Sequence, residues 1–186
     1  MEPAIKNDRH FTYADYCEWD DSERWELIDG VAYAMSPAPQ WAHQGISSNI
    51  HGQLYIYLQG KPCRVFCAPF DVRLNPDAGD DTVLQPDILV ICDKSKLSGT
   101  GCVGAPDMVI EILSPSTAEH DMIVKLGKYM EAGVREYWIV APGTRSVRAC
   151  TLNNGKYDSV DYLDAGAIPV GILEGCVIDF NKVFEE

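Results

Sequence analysis

Two hydrophobic rhythms run along the chain. From Trp41 to Leu58, apolar residues return every fourth position, at Ala42, Ile46, Ile50, Leu54 and Leu58. That spacing is one face of an amphipathic helix, and Gly60-Lys61-Pro62 stops it. Elsewhere, short apolar runs between turn residues predict strands. Residues 24–36, RWELIDGVAYAMS, read as a hairpin with Trp25 to Ile28, a tight turn at Asp29-Gly30, then Val31 to Met35. Residues 63–74 are strand-like, and NPDAGDD after them is a polar turn. Ile88 to Cys92 and Met108 to Leu113 read as buried strands joined by a loop over 93–106. Thr12 opens a short helix over Ala14, Asp15 and Tyr16. Ser116 with Glu119 three residues on is a capping box, starting a helix that runs to about Ala132 and stops at Gly133. Residues 135–142 make a strand, SVRACTLN and KYDSVDYL a hairpin around Asn153-Asn154-Gly155, and CVIDF at 176–180 a short last strand.

From residue 40 the order is therefore helix, three strands, helix, strand. Short connections make the three strands an antiparallel meander, and the second helix carries the chain over to a parallel partner. The expectation is an α/β fold with a mixed central sheet and extra strands at both ends. A chain of 186 residues suits one domain over 1–186. Its core lies at about 40–142, an N-terminal helix and hairpin at 10–36, and C-terminal strands at 145–180.

Two carboxylates interrupt this apolar pattern. Asp87 opens the first buried run and Glu111 breaks the second. Side chains alternate across a strand, so antiparallel pairing of the two runs brings Asp87 and Glu111 to one face. A lone buried carboxylate costs several kcal/mol, and two repel. A divalent cation, Mg²⁺ or Mn²⁺, answers both costs with hard oxygen ligands. For either acid alone, a strand cap or an ion pair is the better reading; for both on adjacent strands the metal is favoured. Lys125 lies beside the apolar stripe of Met122, Leu126, Tyr129 and Met130 and so faces the sheet edge; an i,i+4 pair with Asp121 is its plainer role. Near a metal it would stabilise developing negative charge. Lys128 projects away as a solvated charge. Glu26, mid-strand beside Ile28, reads by pattern as an exposed strand residue slightly ahead of a site residue. Gln85 and Ser114 flank the acids and could orient them. His43 and His51, eight apart, read as ordinary helix histidines without metal spacing.

Composition narrows the picture. The net charge of −13 argues against a broad basic surface for nucleic acid, so any DNA affinity is weak or local. Seven cysteines, an odd number and several inside apolar runs, read as buried free thiols rather than a disulfide framework. Cys63 and Cys67, four apart, read as packing on one side of a strand. No apolar run is long enough to span a bilayer, and the first ten residues hold no apolar signal segment. The expectation is a cytoplasmic protein without membrane contact.

The motifs ELIDG, Pro86-Asp87, GAPDMVIEILSPST, the spacing Asp121-x-x-x-Lys125-Leu126-x-x-Tyr129, and AGVREYWIVAP together resemble the Uma-type family of restriction endonucleases, within the PD-(D/E)XK nuclease superfamily. The resemblance spans roughly residues 10–180. It implies a restriction-endonuclease-like αβββαβ core, the order read above. It also implies a Mg²⁺- or Mn²⁺-dependent endonuclease with metal ligands Asp87 and Glu111, acting on DNA. By the resemblance, Glu26 in ELIDG becomes a site residue. Where the superfamily has its lysine, two residues after the acid, this chain has Leu113, and the resemblance points instead to Lys125 on the following helix. Double-strand cutting with one site per chain implies a homodimer. Two alternatives stay open: a non-catalytic interaction module on the same fold, or a phosphodiesterase acting on a substrate other than DNA.

Overall fold

A computed structural model describes residues 9–19, 23–35, 40–99, 101–114, 120–164 and 166–185. The first turn of helix, α1 (Tyr13–Tyr16), is capped by Asp15, whose carboxylate accepts from the Thr12 N–H and hydroxyl at 2.9 Å each. The predicted hairpin follows as β1 (Trp25–Ile28) and β2 (Val31–Ala34). Its turn puts Asp29 and Gly30 at φ 49° and 76°, the left-handed pair that an Asp-Gly turn tolerates. Helix α2 (Trp41–Leu58) buries Ile46, Ile50, Leu54 and Leu58, as the four-residue rhythm predicts.

Residues 63–74, expected as one strand, divide into β3 (Arg64–Cys67) and β4 (Asp71–Arg73). Pro69 between them has no N–H to give a ladder. The chain continues as β5 (Val83–Leu84), β6 (Ile88–Ile91), β7 (Gly101–Val103) and β8 (Met108–Ile112). The Ser116–Glu119 capping box lies outside the described residues. His120–Lys125 winds as π-helix into α3 (Leu126–Ala132), with Gly133 closing it. Then come β9 (Glu136–Ala141), β10 (Ser146–Asn153), β11 (Lys156–Tyr162), β12 (Ala167–Pro169), β13 (Val177–Asp179) and a last helical turn, α4 (Phe180–Val183).

The central sheet has six strands in the order β11-β10-β9-β8-β6-β3. Pairings β3–β6 and β6–β8 are antiparallel, and β8–β9 is parallel. The meander and crossover inferred from connection lengths are thus present. A second sheet, β2-β1-β5-β4-β7, takes in β4 from the strand-like stretch 63–74 and adds two very short strands, β5, which the sequence had not marked, and β7, inside the expected loop over 93–106. The last predicted strand instead pairs with β12 in a separate ribbon.

Each face of the central sheet is covered. Ile88, Val90, Met108, Ile110, Ile112, Trp138 and Val140 pack on α2 and the C-terminal segment. Leu89, Ile91, Val109, Tyr137 and Ile139 pack on Tyr129 of α3 and on Ile28, Val72 and Leu84 of the second sheet. These strands read as continuous apolar runs because both faces are buried. Ile88 to Ile91 are all fully buried, and truncating any of them to alanine costs about 2–5 kcal/mol.

The expectation of free thiols is corrected at one pair. Cys63 and Cys92 are disulfide-bonded, 29 residues apart in sequence. Arg64 and Ile91 are register partners on β3 and β6, so the cysteines just outside them face each other. Cys63 therefore serves the cross-link, while Cys67 is exposed rather than packed beside it.

Candidate active site

Three of the charged side chains nearly sealed from water meet at one place: Glu26 is 0% exposed, Glu111 3% and Lys125 4%. Glu26 comes from β1 of the second sheet, Glu111 from β8 of the central sheet, and Lys125 from the end of the π-turn. The Lys125 Nζ lies 2.9 Å from Glu26 Oε1 and 3.1 Å from Glu111 Oε1. One amine thus joins the two sheets. Tyr129, one turn further on, donates to Glu111 Oε1 at 3.1 Å. Residues four apart share a helix face, so both donors reach the same carboxylate. Burial, and then the charge of Glu111, hold the Tyr129 hydroxyl well above its ordinary pKa, so it stays a donor. The Gln85 N–H donates to Glu26 Oε1 at 2.9 Å. Glu26 Oε2 is buried and takes no hydrogen bond among the described residues. Glu26 is therefore a core ion-pair residue, not the exposed strand residue its pattern suggested.

Asp87 stands one position before Ile88, and Glu111 one position after its partner Ile110. The two acids are thus opposite each other on neighbouring antiparallel strands. Their carboxylates nevertheless engage different groups. Asp87 Oδ2 accepts from the Ile112 N–H at 2.8 Å and lies 3.3 Å from His43 Nε2. His43 Nε2 is also 3.0 Å from Ile112 O. With its side chain 20% exposed, Asp87 marks the water-facing side of the arrangement.

Gln85, Pro86 and Asp87 form the link from β5 to β6, hence from one sheet to the other. Each end of this tripeptide is tied to an acid or its strand: the Gln85 N–H to Glu26, the Asp87 carboxylate to Ile112. The Gln85 side chain turns elsewhere. Its Oε1 accepts from Arg24 Nε and Nη2 at 3.0 and 2.7 Å, and its Nε2 donates to Tyr16 OH and Asp71 Oδ1 at 3.0 and 2.9 Å. Burial and the neighbouring Asp71 charge raise the Tyr16 hydroxyl, which donates to Asp71 at 3.0 Å. Gln85 orients Glu26 through its backbone while its side chain fixes the β5 end.

Among the other sequence candidates, Ser114 is half-buried just beyond β8. His51 stacks on Tyr55 with centroids 6.2 Å apart. Lys128 is not a solvated charge: it pairs with Asp29 at 2.9 Å and Glu131 at 3.1 Å, and the Asp29 bond raises its pKa. His43 and Tyr129 are the participants that pattern alone underrated. The signal for His43 was its place three residues before Ile46, on the same buried stripe of α2.

Among the described residues, no three His, Cys, Asp or Glu side chains stand together as a metal cluster. The donor chemistry still suits a hard cation, since Asp87 and Glu111 offer carboxylate oxygens on adjacent strands. Charge agrees: Glu26 and Glu111 share the ammonium of Lys125 and Asp87 lies against His43, so the three carboxylates and one ammonium leave two formal negative charges for a dication to balance.

A mixed sheet built as αβββαβ belongs to the restriction-endonuclease-like fold class. Residues 13–180 match the Uma2 family, described as "Putative restriction endonuclease", and the chain belongs to that family. A crystal structure of a "putative nuclease belonging to DUF820" from Anabaena variabilis shares the fold, with TM-score 0.74 and 20% identity over 94% of this chain and 97% of that one. An uncharacterized protein of Synechocystis sp. is 25% identical over 132 residues, 70% of this chain and 67% of its own length. No helix among the described residues is long and apolar enough to cross a membrane.

Proposed function

We propose that this protein is a cytoplasmic, divalent-metal-dependent endonuclease that hydrolyses DNA phosphodiester bonds and acts as a homodimer. The observation that supports it most is the Lys125 amine clamped between two buried carboxylates of different sheets, with Asp87 opposite one of them. Asp87 and Glu111 would hold Mg²⁺ or Mn²⁺. When bound, the cation supplies Lewis-acid polarisation of the phosphodiester and of the attacking water. Lys125 faces negative charge that develops on the phosphate and stabilises it electrostatically. Glu26 is the auxiliary acid that fixes the amine, and Tyr129 fixes the Glu111 carboxylate. A net charge of −13 makes DNA contact weak and local.

The test is relaxation of supercoiled plasmid in Mg²⁺ or Mn²⁺ against EDTA. The reading expects cleavage by the wild type with metal and loss of at least a hundredfold in Asp87→Asn and Lys125→Ala. Equal cleavage by wild type and Asp87→Asn would reject it. The acidic charge favours a second reading, a non-catalytic module or a phosphodiesterase for smaller esters. Cleavage of bis(p-nitrophenyl) phosphate without plasmid cleavage would select the latter.

A further inference from the structure

His43 touches the site described above but has no part in the proposed chemistry. It lies in the first turn of α2, with a side chain only 14% exposed. Its Nε2 approaches two oxygens, Ile112 O at 3.0 Å and Asp87 Oδ2 at 3.3 Å. A carbonyl oxygen can only accept, so Nε2 must carry the proton and donate. The Ile112 N–H reaches the same Asp87 oxygen at 2.8 Å. Ile112 is thus gripped on both sides, its N–H by Asp87 and its carbonyl by His43.

This geometry has a directional consequence. The Ile112 N–H hydrogen bond and the His43 Nε2 approach both fall on Oδ2, while Oδ1 takes no hydrogen bond among the described residues. With one donor, the carboxylate could swing about its terminal torsion. With the His43 Nε2, itself bonded to Ile112 O, standing 3.3 Å from the same oxygen, Oδ2 is held on the Ile112 side and the other oxygen is aimed. Ile112 is the residue after Glu111 on β8, so the clamp also fixes the strand that carries the second acid. Helix α2 holds the histidine rigidly because Ile46 and Ile50, on the same face, are anchored in the core.

We propose that His43 is a positioning residue: it locks Asp87 Oδ2 against Ile112 and thereby presents Oδ1 to a divalent cation. This rests on the metal-nuclease reading. Metal-site partners of this kind are worth about 10–100-fold in metal affinity.

The experiment is calorimetric titration of the full chain with Mn²⁺, comparing wild type, Asp87→Asn, His43→Leu and His43→Gln, each checked for native circular dichroism. Leucine fills the space without a donor; glutamine restores an N–H. The proposal expects His43→Leu to bind Mn²⁺ about 10–100-fold more weakly and His43→Gln to recover most of that loss. A His43→Leu protein that binds within twofold of wild type overturns the positioning role alone. Equal weakening in both His43 variants overturns it too, because the donor would then be irrelevant. Were His43→Leu to misfold, His43→Gln against His43→Met gives the same contrast. Wild type that binds no Mn²⁺ at millimolar concentration overturns the metal reading, and this role with it.

Discussion

Removing the charge of Lys125 should expose how costly the buried site is. In Lys125→Met, a side chain of similar length stays in place without its amine. Glu26 and Glu111, whose side chains are 0% and 4% exposed, then lose their shared counter-ion. Glu26 keeps a single donor, the Gln85 N–H, and Glu111 keeps Tyr129. Breaking one partner out of a buried ion pair costs about 3–5 kcal/mol, because the remaining charge stays desolvated. At about 2–4 °C per kcal/mol for a chain of this size, Tm should fall by about 6–20 °C. Urea unfolding at pH 7, followed by fluorescence of buried Trp138, measures the loss. Lys125→Met combined with Glu26→Gln should be less destabilised than Lys125→Met alone, since one of the stranded charges is gone. If Lys125→Met unfolds within about 1 kcal/mol of wild type, the triad is not the buried ion pair described, and the electrostatic reasoning fails.

Other consequences are simpler to check. Tyr129→Phe removes a donor to a buried carboxylate and should cost about 1.5–3 kcal/mol in the same urea experiment; no change would deny that bond. Thiol titration should find the exposed Cys17 and Cys67 quickly reactive in the native protein, five thiols after denaturation, and seven only after reduction of Cys63–Cys92. Seven thiols without reductant would deny the cross-link. Closing a loop of 29 residues should make reduction cost about 3–4 kcal/mol. Alkaline pH gives a signed prediction. Burial pushes Cys102 and Cys176 up from 9.0 to about 11, and raises Tyr129 above 10.0. The folded state holds these protons more tightly than the unfolded chain. The contribution of the two cysteines is complete below about pH 9 and is lost as pH rises through about 11, and that of Tyr129 is complete below its ordinary value of 10.0 and lost only above it. A urea midpoint unchanged between pH 8 and pH 10.5 would contradict this.

Much of the architecture was legible because its elements are long or buried on both faces. Helix α2 announces itself through Ile46, Ile50, Leu54 and Leu58, and strands β6 and β8 through unbroken apolar runs. The hairpin β10–β11 follows from Asn154 and Gly155 at the turn. Beyond its β1–β2 hairpin, the second sheet was not legible as a sheet. Val83–Leu84 and Gly101–Val103 are too short to show a period, and their partners are distant in sequence. The convergence of Glu26, Glu111 and Lys125 is a tertiary fact: 85 residues separate Glu26 from Glu111, and the helix stripe that turns Lys125 toward the sheet does not say which acids it joins. Lys128 was misread for the same reason, since its partner Asp29 lies at the far hairpin turn. The disulfide escaped because the odd count and apolar surroundings of the cysteines, rather than strand register, governed the expectation for them. Asp87 and Glu111, by contrast, stand opposite each other as strand alternation predicts, although their side chains engage different partners.

The most direct test of the central claim is a crystal of the protein soaked in Mn²⁺ and measured at the manganese absorption edge. The account predicts an anomalous peak contacted by both Asp87 and Glu111, on the water-facing side of Lys125. Data showing no peak there at high Mn²⁺, with Asp87 and Glu111 still bound as described to Ile112 and Lys125, would contradict it.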